Sequence, residues 1–206
     1  MSPPRSSARW ATVCTLGACA AASTACAVQL AAEGTRLGGQ RGRAEQAVGV
    51  VAVGLALLCA TSAARWALLR RPLLLPHRLG SGAYLALLGL AFALALTGGH
   101  LWSAQGRPAL AAFAGLLSAQ VLVVGLGLVP TWALDDRGLL DVLGRRVALS
   151  AFSAFSLQRT QAAPPRFLLR LSARGEGEPF TLRLADVDGD ALSHTLEAGA
   201  LVRRSA

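Results

Sequence analysis

Tyr84–Ser103 reads YLALLGLAFALALTGGHLWS, Ala104–Pro108 reads AQGRP, and Ala109–Leu134 reads ALAAFAGLLSAQVLVVGLGLVPTWAL. Each flanking run has the length that a membrane-crossing helix needs, about 20 predominantly apolar residues. The link between them is too short for anything but an antiparallel helical hairpin. Asp135–Asp136–Arg137–Gly138 then makes a turn, and beyond it the apolar residues recur with a period of two. This passage sets the fold class. The chain reads as an α-helical polytopic membrane protein that ends in a small α+β domain, an antiparallel sheet with a C-terminal helix.

Two more apolar stretches lie upstream. One runs from about Trp10 to Ala32 and is rich in Ala; the other runs from about Gln46 to Leu69 and is interrupted late by Arg65. Residues 1–134 therefore form a four-helix transmembrane domain with spans near 10–32, 46–69, 84–103 and 109–134. Residues 135–206 form the tail domain. Glu33 to Glu45 is a polar, Gly-rich connection, and Arg70 to Gly82 is a second one in which Pro72 and Pro76 stop the helix. Residues 1–27 also admit a second reading, a cleaved signal peptide with Arg5 and Arg9 as its n-region and Ala25–Cys26–Ala27 as its cleavage site. That reading leaves three spans and the same placement of the tail.

Composition agrees with a membrane class. Of 206 residues 53% are hydrophobic and only 15% charged, against about a quarter charged in soluble domains. Every basic residue is Arg, and the abundance of Ala, Leu, Gly and Arg fits a GC-rich genome. The net charge of +9 is unevenly spread: residues 1–134 hold ten Arg and two acids, and residues 135–206 hold ten Arg and nine acids. A basic excess confined to the spanning part serves topology and lipid contact. Nucleic-acid binding would need a basic face with aromatics on a soluble domain, so it is not among the expected partners.

Arg placement sets the orientation. Arg5, Arg9, Arg65, Arg70, Arg71, Arg78, Arg137, Arg145 and Arg146 fall on one side, and Arg36, Arg41, Arg43 and Arg107 on the other. The larger set belongs in the cytoplasm, so both termini are expected there, in a multi-pass protein of the inner (plasma) membrane. Trp10, Trp66, Tyr84, Trp102 and Trp132 stand near span ends, where interfacial aromatics belong.

In the tail, Leu139–Val142 and Arg146–Ser150 read as a hairpin, and Ser153–Gln158 as a weaker strand. Arg166–Ala173 and Pro179–Ala185 are the best strand pair. In it Leu169, Leu171, Leu182 and Leu184 alternate with Arg170, Thr181 and Arg183. A helix follows from about Gly189 to Val202, with Asp188 as N-cap and Leu192 and Leu196 on one face. Asp135–Leu140 and Gly144–Phe152 open a strand order that resembles the bacterial pleckstrin-homology-like (PH-like) domains that follow paired membrane spans. Leu149 stands where those proteins often have Trp, and Ala151 where they often have an acid. The resemblance covers about a third of the chain and implies an interaction module without specific site residues. A core this small should lean on the membrane surface, on the 70–78 loop or on a second copy.

Three groups of residues carry candidate chemistry. Arg70, Arg71 and Arg78 form a juxtamembrane cluster suited to anionic lipid headgroups, whose attraction is on the order of 1 kcal/mol per Arg. Asp186, Asp188, Asp190 and Glu197 occupy positions one, three, five and twelve of a calcium loop. Ala191 stands where that loop needs Gly, so acids favoured at a helix N-terminus are the competing explanation. His100 has no partner His at matching depth in another span. The four cysteines, Cys14, Cys19, Cys26 and Cys59, lie in apolar stretches and read as small buried residues. No hydrolase, metalloprotease, phosphate-loop or dinucleotide motif occurs, and no cofactor is expected. The sequence favours a non-catalytic membrane protein whose cytoplasmic tail contacts protein or lipid, with the bilayer, anionic headgroups and a protein partner or homodimer as partners. A channel or small-solute transporter is the alternative, and a membrane enzyme comes third.

Overall fold

The structure is a computed structural model. It describes every residue except 1–4, 70–71, 76–80, 136, 161–165, 175–178, 186, 188, 200 and 204–206. The chain divides into two compact units. One is helical, Val13–Ala64 and Gly80–Leu128; the other gathers Met1–Thr12, Arg65–Leu79 and Val129–Ala206 around the sheets.

Four helices carry the first unit: α1 (Arg5–Leu37), α2 (Gly39–Ala67), α3 (Ser81–Ser103) and α4 (Pro108–Gly125). All four are long and apolar enough to cross a membrane. Val50, Val51 and Leu57 of α2 and Leu85, Phe92 and Leu96 of α3 are exposed, a surface that lipid accepts and water does not. The polar connection expected at Glu33–Glu45 is instead helical on both sides and breaks only at Gly38 and Gly39, whose φ values are 60° and 57°. Arg36, Arg41 and Arg43 are good helix formers, and the glycine pair supplies the left-handed backbone that reverses the chain. Gly34 and Gly42 meet across this reversal. A Cβ on Gly34 would lie 2.7 Å from Gln46 Cγ and 2.8 Å from the Gly42 carbonyl oxygen.

Below the turn, α1 buries Ser23, Cys26 and Leu30, while α2 buries Glu45, Gly49, Ala52, Ala56 and Cys59. Steps of three and four residues along both lines are those of left-handed helix pairing. A Cβ at Gly49 would sit 3.5 Å from Leu30 Cβ. Ala52, Ala56, Ala60 and Ala64 recur every four residues in the sequence, but only the first two are buried, because a four-residue repeat drifts off the seam; Ala60 and Ala64 are exposed.

The α3–α4 hairpin forms as the short link requires, with Gly106 at φ 62° in the turn. Near the turn, the Cβ position of Gly98 lies 3.2 Å from the Ala111 carbonyl oxygen. Farther along, Ser118 Oγ donates to the Ala91 carbonyl oxygen at 2.8 Å. The fourth span is shorter than the sequence predicts, ending at Gly125 rather than Leu134. Leu126 N–H and Gly127 N–H bond back to the carbonyls of Leu122 and Val124, and Gly127 has φ 63°. This is the glycine-terminated helix end that satisfies orphan carbonyls, and Pro130 blocks any restart.

Trp132 onward belongs to the second unit. Its first sheet has the order β1 (Leu73–Leu75), β2 (Trp132–Asp135), β3 (Gly138–Asp141), β4 (Arg146–Ala148), antiparallel throughout. A 3-10 turn, Leu149–Ala151, leads into β5 (Phe152–Thr160). The second sheet pairs β5 with β6 (Arg166–Ala173), β6 with β7 (Phe180–Ala185), and β5 in parallel with β8 (Val202–Arg203). Leu169 faces Leu182 and Leu157 in register. Leu169, Leu171, Leu182 and Leu184 are buried as their alternation predicts, together with Leu75, Leu134, Leu139 and Phe155. Helix α5 (Gly189–Ala198) adds Leu192 and Leu196 to this core.

Instead of about five strands, the described residues hold eight. The additional ones are short and come from segments whose sequence reads otherwise: β1 from an interhelical loop, β2 from the end of a span, β8 from the end of a helix. Gly199 stops α5 four residues before the expected Val202, and a Cβ there would meet Leu149 Cδ1 at 2.6 Å. Of the 70–78 segment, the described Leu73 and Leu75 pack in this core, Leu75 fully buried.

Candidate functional sites

An apolar helical unit tolerates an ionised group only if something compensates it. Glu45, in the second turn of α2, is fully buried. Arg107, just ahead of Pro108 at the start of α4, places Nε 3.3 Å from Glu45 Oε1. Neither carboxylate oxygen of Glu45 receives a hydrogen bond from the described residues. The pair ties the first turns of α2 to the α3–α4 turn. The sequence reading assigns both residues to polar connections and misses their meeting; Glu45 follows Arg41 and Arg43 closely in the chain, so nothing local singles out Arg107 as its partner.

A second buried carboxylate lies in the sheet unit. Asp135, at the end of β2, accepts from Arg137 N–H and Gly138 N–H through Oδ1, both at 3.0 Å. The Arg146 guanidinium from β4 completes it, with Nη1 to Oδ1 at 3.1 Å and Nη2 to Oδ2 at 3.0 Å. Gly138 has φ 147°, and a Cβ there would collide with the Val147 carbonyl. The Asp135–Gly138 turn is thereby fixed on three sides. The Asp-Asp-Arg-Gly signal locates this turn; the fork from Arg146 is invisible until the hairpin register is known.

The third cluster is at the end of α2. Trp66 is fully buried, and its Nε1 donates to the Asp141 carbonyl oxygen at 2.9 Å. Arg65 Nη1 donates to the Gly144 carbonyl oxygen. Arg9, near the start of α1, donates to the Leu69 carbonyl oxygen at 2.6 Å and stacks 5.0 Å over the Trp10 ring. Of the five aromatics read as interfacial, Trp10 and Trp102 are exposed. Trp66 and Trp132 differ. Trp66 caps the β3–β4 turn, and Trp132 meets Phe180 edge to face at 5.2 Å inside the sheet unit.

Arg70, Arg71 and Arg78 lie outside the described residues, as do Asp186 and Asp188. Asp190 and Glu197 both sit on α5, which is regular helix from Gly189 onward. A calcium loop would need that stretch to wrap around the ion. Among the described residues no group of three His, Cys, Asp or Glu side chains gathers at metal-binding distance. His100 is exposed on α3, and the four cysteines are free thiols, with Cys26 and Cys59 buried, Cys19 half-buried and Cys14 exposed. Of the polar groups in the spans, Ser118 bonds between helices, whereas Thr61 and Thr97 bond back to their own helix at Leu57 and Ala93. Comparison with family models, with curated proteins and with solved structures gave no match to the chain.

Proposed function

We propose that the chain is a non-catalytic, multi-pass protein of the bacterial inner membrane, with both termini cytoplasmic and a PH-like tail that works as an interaction module at the membrane surface. The observation that carries this reading is the way the sheet unit is rooted. Its first sheet takes β1 from the segment between α2 and α3, and its β3–β4 turn is bonded to Arg65 and Trp66 at the end of α2. A domain bonded to a helix end in this way is suited to work beside the membrane that the helix is read as crossing. Two antiparallel sheets closed by a C-terminal helix support the PH-like reading, although β1 precedes two spans and β8 adds a parallel strand. The Arg distribution supports the orientation.

Proximity labelling from the C-terminus in native membranes tests the function. Recurrent enrichment of a specific partner is expected. Labelling of bulk membrane proteins alone argues against an interaction module. A C-terminal reporter active only outside the cytoplasm, if active, overturns the orientation.

A further inference from the structure

Both ends of the β3–β4 turn are pinned to the last turn of α2, through Asp141 and Gly144. The depth of that helix end follows from the sequence. Ala47–Ala64 is an uninterrupted uncharged run between Glu45 and Arg65, and its 18 residues rise about 27 Å, close to the roughly 30 Å hydrocarbon core. Arg65 therefore stands at headgroup level, and so does the turn bonded to it.

The turn is rigid. Asp141 Oδ1 accepts Arg145 N–H at 2.7 Å, Asp141 N–H donates to the Arg145 carbonyl at 3.0 Å, and Gly144 sits at φ 75°. At its tip Leu143 is 44% exposed. Among the described residues of the sheet unit, the large exposed apolar side chains are Trp10, Leu68, Leu143 and Val202. The first three are each within two residues of a contact at this helix end, beside Arg9, Trp66 or Gly144. Arg145 is exposed, and its guanidinium makes no hydrogen bond or ion pair with the described residues. An apolar tip next to an uncommitted guanidinium, fixed at headgroup depth, matches a phospholipid boundary, with acyl chain for the one and phosphate for the other.

We propose that the Asp141–Arg145 turn dips into the cytoplasmic leaflet, with Leu143 at the headgroup–acyl boundary and the Arg145 guanidinium on an anionic lipid phosphate. The inference rests on the membrane reading above.

The test places the photocrosslinker p-benzoylphenylalanine at position 57, 143 or 137 of the full chain, in vesicles of phosphatidylethanolamine and phosphatidylglycerol, and reads lipid adducts by mass spectrometry. Position 57 is exposed mid-span on α2, and 137 is in the turn at the other end of β3. Adducts at 57 and 143, with 143 well above 137, are the expected result. Adducts at 57 but not 143, or equal yields at 143 and 137, overturn the dipping turn and leave the membrane reading standing. No adducts at 57 would overturn the membrane reading itself. With the probe at 143, Arg145→Glu should lower the phosphatidylglycerol share of the adducts about fivefold; an unchanged share removes the phosphate contact from the proposal.

Discussion

Glu45 and Asp135 are both buried carboxylates facing an Arg, and they are satisfied in opposite ways. Asp135 has its lone pairs filled by two backbone N–H groups and a two-pronged guanidinium, and its Arg146 side chain remains about a third exposed, at 34%. Among the described residues, Glu45 has one ion-pair contact at 3.3 Å and no hydrogen bond. The first is a structural fastener of a kind that water-facing sheets use often. The second depends on a single charge in apolar surroundings, so its neutralisation rests almost wholly on Arg107. The difference teaches where each unit is vulnerable: the helical unit at one cation, the sheet unit at a network that shares the load.

The largest effect is expected from Arg107→Ala. Stranding Glu45 should lower the stability of the helical unit by about 3–5 kcal/mol, measured by denaturation of the full chain in detergent. Replacing both partners by Leu should recover most of that loss, since a buried pair is often no better than apolar residues of similar volume. Arg107→Ala as mild as a surface substitution would erase the contrast. Next comes Asp135→Asn, which keeps the shape and loses the charge; about 2–3 kcal/mol should go, with faster amide exchange at Arg137 and Gly138. Arg146→Lys keeps the charge and loses the fork, which should cost about 1 kcal/mol or less in the same exchange measurement. The smallest effect is that of salt. Going from 0.1 to 1 M shortens screening from about 10 Å to about 3 Å. Exchange in the Asp135 turn should rise slightly, while the Glu45 pair, shielded by its burial, should not respond.

The parts of the fold legible in the sequence were those with a sustained period or a strong local punctuator. Long apolar runs mark the four helices, and alternation marks β6 to the residue and β7 to within one. What escaped is short or non-local. Leu73–Leu75 is three leucines, a run that fits a loop, a helix end or a strand equally well; only pairing with Trp132–Leu134 makes it a strand. Trp132 reads as an interfacial anchor because it follows a long apolar stretch, yet Gly125–Leu126–Gly127 already carries the stop signal for the helix. The Glu45–Arg107 pair joins positions 62 apart in sequence, so no local pattern contains it. Likewise, the grip of Arg65 and Trp66 on the β3–β4 turn spans more than 70 residues.

The pairing of Leu75 with Trp132 also has a temporal meaning. These two residues bracket the entire α3–α4 hairpin, so β1 leaves the ribosome well before the strand it must bond to. Closing a loop of this length carries an entropic penalty that grows only slowly with length, but the order of synthesis is strict. The first sheet cannot be completed until both later helices have been made, and a fragment starting at residue 135 would lack β1 and almost all of β2. Completion of the first sheet thus requires that the hairpin has already been synthesised, and a chain stalled before residue 132 leaves Leu73–Leu75 without its pairing strand, an apolar edge open to aggregation.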